Sequence, residues 1–216
     1  MKTKKSILAV PDAGKVSGEY FVPADAISLL VLAHGAGAGM HHVFMVTLAE
    51  RLAAAGIATL RFNFPFSENG KGRPDTPKVA HQTISTALKH AAKSFPELPL
   101  FAGGKSFGGR MTSQYLSEHP DEAVKGIVFY GFPLHPAGKP STERAAHLKA
   151  VTKPMLFLQG SKDTLAEWSL IEPVCAALPL ATLVRLEGAD HSFKAGKQDT
   201  IAVLTEATKN WINSHL

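Results

Sequence analysis

Gly104-Lys105-Ser106-Phe107-Gly108 sets a serine between two glycines, directly after the apolar run that starts at Leu98 and Pro99. A Gly-x-Ser-x-Gly segment suits a strained strand-to-helix turn, where larger neighbours would collide with the backbone and where the serine oxygen is thrust into the open. The helix that follows brings its unpaired N–H groups up behind that oxygen, where they favour negative charge. A serine hydroxyl is a weak nucleophile until an imidazole takes its proton, and the imidazole needs a carboxylate to fix its tautomer and steady its cation. Further along the chain, Asp163 stands in QGSKD and His191 in EGADHSF. Ser106, Asp163 and His191 thus occur in the order nucleophile, acid, base, each just beyond a predicted strand. Asp190 and Glu167 are alternative acids. Asp163 is preferred over Asp190 because consecutive residues in a turn seldom aim their side chains at one another.

A nucleophile of this kind also needs donors for the oxygen that becomes charged. The run His34-Gly35-Ala36-Gly37-Ala38-Gly39 follows another apolar strand, and its small residues let the backbone approach a substrate carbonyl. One N–H from such a loop and one from the residue after the nucleophile form an oxyanion hole, which designates Ala36 and Phe107. Rival motifs fail on spacing. A phosphate loop ending in Gly104-Lys105-Ser106 would need its first glycine at Pro99, and a dinucleotide fingerprint from Gly35 would need its third at Met40. His41 and His42 lack the accompanying ligands of a metal site, so neither cofactor nor metal is expected.

These residues require a scaffold that gathers strand ends on one edge. Apolar or aromatic segments at 6–10 and 17–22 predict an N-terminal strand pair, and strands are expected at 28–34, 57–63, in the apolar run from Leu98 that breaks at Gly103, and at 125–131, 154–160 and 182–186. Helical spacing places amphipathic segments between them: from Phe44 to a glycine stop at Gly56, over 78–94, from Ser106 to His119, over 142–149 and 166–177, and around Leu204 to Trp211. Residues 64–77, FPFSENGKGRPDTP, read as a long surface loop. Strands alternating with helices imply an α/β fold with a mostly parallel sheet of about seven or eight strands covered on both faces, with sites at the strands' carboxyl ends.

The composition narrows the function classes. A chain of 216 residues, 45% hydrophobic, suits a single domain over 1–216. The net charge of +5 is scattered rather than gathered on one face, which speaks against nucleic acid as a partner. No run is long enough to span a membrane, and the apolar part of MKTKKSILAV is too short for an export signal. Cys175 is the only cysteine, so no internal disulfide is expected and a reducing cytoplasm is the natural setting.

HGAGAGM, LRFNFPF, GRPD and GGKSFGGR together resemble α/β-hydrolases of minimal size, similar to dienelactone-hydrolase-like proteins. The resemblance is nearest to the small family related to a testis-expressed hydrolase-like protein and to a subunit of the nonspecific-lethal chromatin complex. It implies the α/β-hydrolase fold, without a cap domain because only 132–153 intervene where larger members insert one. It implies a serine hydrolase acting on a small-molecule acyl ester or thioester; a non-catalytic interaction module on the same fold is the alternative. Dienelactone hydrolases use cysteine where Ser106 stands, so their substrate does not carry over. An open cleft walled by Met40, Phe66, Phe107, Leu134 and Phe193, with short acyl groups preferred, is the expected site. Arg61, Arg73 and Arg110 could favour an anionic substrate; the plainer role for Arg110 is to pair with Asp75 and pin the 64–77 loop.

Overall fold

The computed structural model describes residues 2–216. Eight strands form one sheet in the order β1-β2-β4-β3-β5-β6-β7-β8. β1 (Lys2–Val10) and β2 (Gly14–Val22) are an antiparallel hairpin turned at Asp12 to Gly14, and β2 runs antiparallel to β4 (Ile57–Phe62). From there β3 (Ser28–Ala33), β5 (Leu100–Lys105), β6 (Ile127–Tyr130), β7 (Met155–Gly160) and β8 (Ala181–Leu186) are all parallel. The helices are α1 (Val43–Ala54), α2 (Pro65–Glu68), α3 (Pro77–Ser94), α4 (Phe107–Glu118), α5 (Trp168–Ala176) and α6 (Thr200–Asn213), with a 3₁₀ helix at Glu143–Ala150.

Every residue of β3, β4, β6 and β7 is buried, as continuous apolar strands with helices on both faces must be. Alternate β3 side chains divide between two cores: Leu29, Val31 and Ala33 pack toward α3 and α4, while Leu30 and Leu32 pack toward α1 and α6. Ser106, the residues after Ala33, Asp163 and His191 follow the carboxyl ends of parallel strands β5, β3, β7 and β8, so they meet at one edge.

Three details depart from the sequence-based expectations. Residues 64–77 are not wholly loop, because Pro65 opens α2, where a missing N–H costs nothing, and Phe64 and Phe66 are buried. Asp75 does pin this segment, but through the Phe66 N–H at 2.9 Å rather than through Arg110. The segment from 142 on is 3₁₀, not α-helix. Among the described residues no cap covers the sheet edge: the 3₁₀ helix is the element between β6 and β7, and it is tied to α4 by a 2.8 Å hydrogen bond between His147 and Ser113.

Candidate active site

Ser106 sits between the end of β5 and the start of α4 with φ 51° and ψ −114°, a left-handed conformation that costs a non-glycine residue roughly 1–3 kcal/mol. The turn is held because β5 and α4 press against β3 without intervening side chains. A Cβ on Gly108 would come within 2.6 Å of the Ala33 and His34 carbonyl oxygens, and one on Gly104 would lie 2.9 Å from the backbone of Gly108 and Gly109. Only glycine at these positions allows so close an approach.

The structure brings Ser106, His191 and Asp163 into contact in that sequence. His191 Nε2 lies 2.8 Å from Ser106 Oγ, and His191 Nδ1 lies 2.7 Å from Asp163 Oδ2. A carboxylate can only accept, so Nδ1 carries the proton and Nε2 is left free to accept from the serine hydroxyl. The Asp163 side chain is fully buried, whereas His191 is 22% exposed and so reachable from the cleft. Gln159 Nε2 donates to Asp163 Oδ2 at 2.6 Å, and the Leu165 N–H donates to Oδ1 at 2.8 Å. Gln159 is itself oriented, since its Oε1 accepts from the Phe132 N–H. Of the alternative acids, Asp190 turns back to accept the N–H groups of Ser192 and Lys194, and Glu167 is exposed at the start of α5.

Gly35 to Ala38 form a turn closed by the Ala38 N–H to the Gly35 carbonyl, which leaves the Ala36 N–H outside the turn's own hydrogen bond. The turn lies beside the serine, because a Cβ on Gly35 would be 3.8 Å from the Ser106 Cβ. Phe107 is the first residue of α4, where a backbone N–H has no intrahelical partner.

Behind this turn is a polar framework that the sequence analysis does not assemble. Arg61 Nη1 donates to the Met40 carbonyl at 2.7 Å, while Asn63 Oδ1 accepts the Met40 N–H at 2.8 Å. Arg61 is buried and is neutralised by Glu19, directly opposite on β2, at 2.5 Å. His34 accepts the Phe64 N–H at Nε2, so its Nδ1 carries the proton and donates to the Gly35 carbonyl at 2.8 Å. Burial pushes the His34 pKa down to about 4 and keeps the ring neutral. The LRFNFPF segment therefore holds the HGAGAGM loop from behind. A signal was present in the sequence: a strand carrying Arg61 amid apolar residues needs a buried acceptor.

A cleft of about 390 Å³ opens onto Ser106 and His191, with Ala36, Phe44, Met45 and Leu165 among its walls. The expected wall residues lie elsewhere. Phe66 and Phe107 join Phe64 and His34 in an aromatic cluster, with ring centroids 5.0–6.0 Å apart. Met40 and Leu134 are buried, and Phe193 lies behind Phe44, stacked at 5.8 Å. The arginines are absent from the cleft as well: Arg61 is internal, Arg73 is exposed, and Arg110 is crowded by Arg144. The cation in the cleft wall is instead Lys105. His42 caps α1 by accepting the Phe44 N–H, and among the described residues no three potential metal ligands cluster.

An eight-stranded mostly parallel sheet with a serine on the β5-to-α4 turn defines an α/β-hydrolase architecture. The chain belongs to the alpha/beta hydrolase domain family, whose model matches residues 26–213. Its fold is similar to that of a dienelactone hydrolase from Anabaena variabilis, with a TM-score of 0.82 at 20% identity, covering 100% of this chain and 98% of that one. It is also similar to an α/β serine hydrolase homologue from Coxiella burnetii, with a TM-score of 0.79 at 20% identity over 97% of this chain and 98% of the other. A third similar structure, from Xanthomonas campestris, is described as an α/β serine hydrolase without a lid, with a TM-score of 0.76 at 20% identity over 98% and 95% of the two chains. In sequence, the chain is 26% identical over 206 residues to a Mycobacterium tuberculosis protein named as a phosphoribosyl transferase; the match covers 93% of this chain and 44% of that protein. The chain thus spans less than half the length of the curated relatives it matches. No helix of the described residues is long and apolar enough to cross a membrane.

Proposed function

We propose that the protein is a serine hydrolase that cleaves a small ester or thioester through an acyl-enzyme. The observation that carries this reading is the unbroken hydrogen-bonded line from Ser106 Oγ through His191 to the buried Asp163. His191 Nε2 removes the serine proton as Oγ adds to the acyl carbonyl carbon, and Asp163 stabilises the imidazolium that forms. The carbonyl oxygen becomes an oxyanion facing the N–H groups of Ala36 and Phe107. As the tetrahedral intermediate collapses, His191 gives its proton to the departing alcohol or thiol, leaving the acyl group on Ser106. Water, deprotonated by the same imidazole, then repeats the sequence and releases the acid.

The cleft volume and the missing cap favour short acyl groups, since each methylene left in water forgoes roughly 0.8 kcal/mol of burial. Residues 1–216 act in this reading as one domain, in the cytoplasm, and the resemblance of the four motifs supports a kinship with the testis-expressed hydrolase-like proteins. The transferase name of the mycobacterial relatives belongs to proteins more than half of whose length lies outside the match, so it brings no activity to this chain. A fluorophosphonate probe followed by intact-mass analysis tests the proposal: Ser106 takes the label and Ser106→Ala takes none. Undiminished labelling of Ser106→Ala, or no labelling of the wild type, would refute it.

A further inference from the structure

We infer that Lys105 is a positioning residue whose ammonium ties the loop carrying His191 to the strand end carrying Ser106, and so fixes the imidazole over the serine. Resting on the hydrolase reading, it adds a residue to which no motif assigns a role. Lys105 is the last residue of β5 and immediately precedes Ser106, so its backbone is as fixed as the elbow itself. Its side chain crosses to the other side of the cleft, where Nζ donates to the His191 carbonyl at 2.5 Å. No other donor among the described residues reaches that carbonyl.

The ammonium is also held by its surroundings. Nζ lies 5.0 Å from the centre of the Phe193 ring and 5.9 Å from that of Phe44, two rings stacked on each other. A Cβ on Gly131, the residue just after β6, would come within 3.1 Å of Nζ, so the backbone there also lies close to the ammonium. The loop it grips is itself strained, with Phe193 at φ 62°. Within that loop the Asp190 N–H reaches the Lys194 carbonyl and the Phe193 N–H reaches the Asp190 carbonyl; neither bond connects the loop to β5. Lys105 makes that connection.

The charged and titratable groups around Nζ are Asp163 after β7, Asp190 and His191 after β8, and, across the cleft at the start of α1, His42. Burial lowers the Lys105 pKa to about 8, against the opposing pull of Asp163 and Asp190. The ammonium is therefore the donor near neutral pH, and a charge-assisted bond is roughly twice as strong as the one a neutral amine makes.

In Lys105→Met, kcat for a short activated ester should fall between about 10- and 100-fold, the scale of a misplaced catalytic group, while KM stays within about twofold. The wild-type kcat should also decline as pH rises through about 8, where Lys105→Met shows no such bend. Lys105→Cys in a Cys175→Ala background, alkylated with 2-bromoethylamine, restores an ammonium at nearly the same reach and should recover most of the lost kcat. Should Lys105→Met not fold, Lys105→Gln replaces it with the same readouts. The inference is overturned if kcat is unchanged, if alkylation recovers nothing, or if only KM for a carboxylate-bearing ester changes, which would make Lys105 a substrate contact. A wild type with no Ser106 labelling would remove the hydrolase reading instead, so the two failures are distinguishable.

Discussion

On the serine side of the cleft, Ser106 is positioned by backbone touching backbone, whereas on the histidine side the His191 imidazole and the Asp163 carboxylate are oriented by single hydrogen bonds reaching across gaps. Gly104 and Gly108 let β5, α4 and the end of β3 meet with no atoms to spare, and Ser106 is held in its left-handed conformation by that contact. His191 and Asp163 depend on Gln159, the Leu165 N–H and Lys105, each a single hydrogen bond. The first side resists change until it fails altogether. The second can lose its geometry one bond at a time while the fold survives.

The largest effect should come from the histidine side and should leave the fold standing. Asp163→Asn puts an amide N–H where His191 Nδ1 and Gln159 both expect an acceptor, so turnover should fall about 10⁴-fold, the scale of losing the orienting carboxylate in Ser-His-Asp sites. Circular dichroism should remain native, and Asp190→Asn should keep most of the rate, because the Asp190 carboxylate bonds the Ser192 and Lys194 N–H groups and not the His191 ring. If Asp190→Asn proves the more damaging, the acid is misassigned.

Next in size is a break on the serine side. Gly104→Ala drives a methyl group into the Ala33 carbonyl and the backbone of α4, and should cost about 3 kcal/mol or more, with stability and activity lost together. Urea unfolding read beside kcat would check this. A variant of native stability that had lost only its rate would show that the two sides are not held as differently as described.

The smallest effect is a pH dependence that acts on the serine side alone. His34 takes up its proton at pH 6.5 when unfolded but only at about 4 when buried, so between these values the unfolded chain binds more protons. The stability present above pH 6.5 is therefore lost as pH falls toward 4, by roughly 3 kcal/mol for this group. His147, likewise lowered to about 4 by burial and by Arg110, adds to the slope from the far side of α4. Urea midpoints from pH 7 to 4 should show a shallower slope in His34→Gln, and an unchanged slope would contradict the assignment.

The same contrast explains what was legible in the sequence. Backbone contact leaves glycines behind it, so the elbow, the order of Ser106, Asp163 and His191, and the alternation of strands and helices could all be read from spacing. Side-chain reach leaves no such trace. Nothing in the spacing says that Gln159 faces Asp163, that Lys105 crosses to the histidine loop, or that Arg61 turns inward to Glu19 instead of toward substrate. The cleft walls were misjudged for a related reason: an aromatic residue near a site in sequence packs where other rings offer a partner, and Phe64 drew Phe66 and Phe107 away. Residues 64–77 read as loop in the sequence because Pro65, which starts a helix here, marks loops equally well.

The hairpin at the sheet's margin bears on how the molecule behaves in a crowd of its own kind. β1 has β2 for a partner on one side only, and alternate residues present free N–H and C=O groups along the other, with Ile7 60% exposed on this strand. Such a margin would accept any strand of matching length. Lys4 and Lys5 are exposed along it, so two copies meeting edge to edge bring like charges near one another. That repulsion reaches about 10 Å at 0.1 M salt and only about 3 Å at 1 M. Concentrated brine therefore removes the guard that these lysines provide.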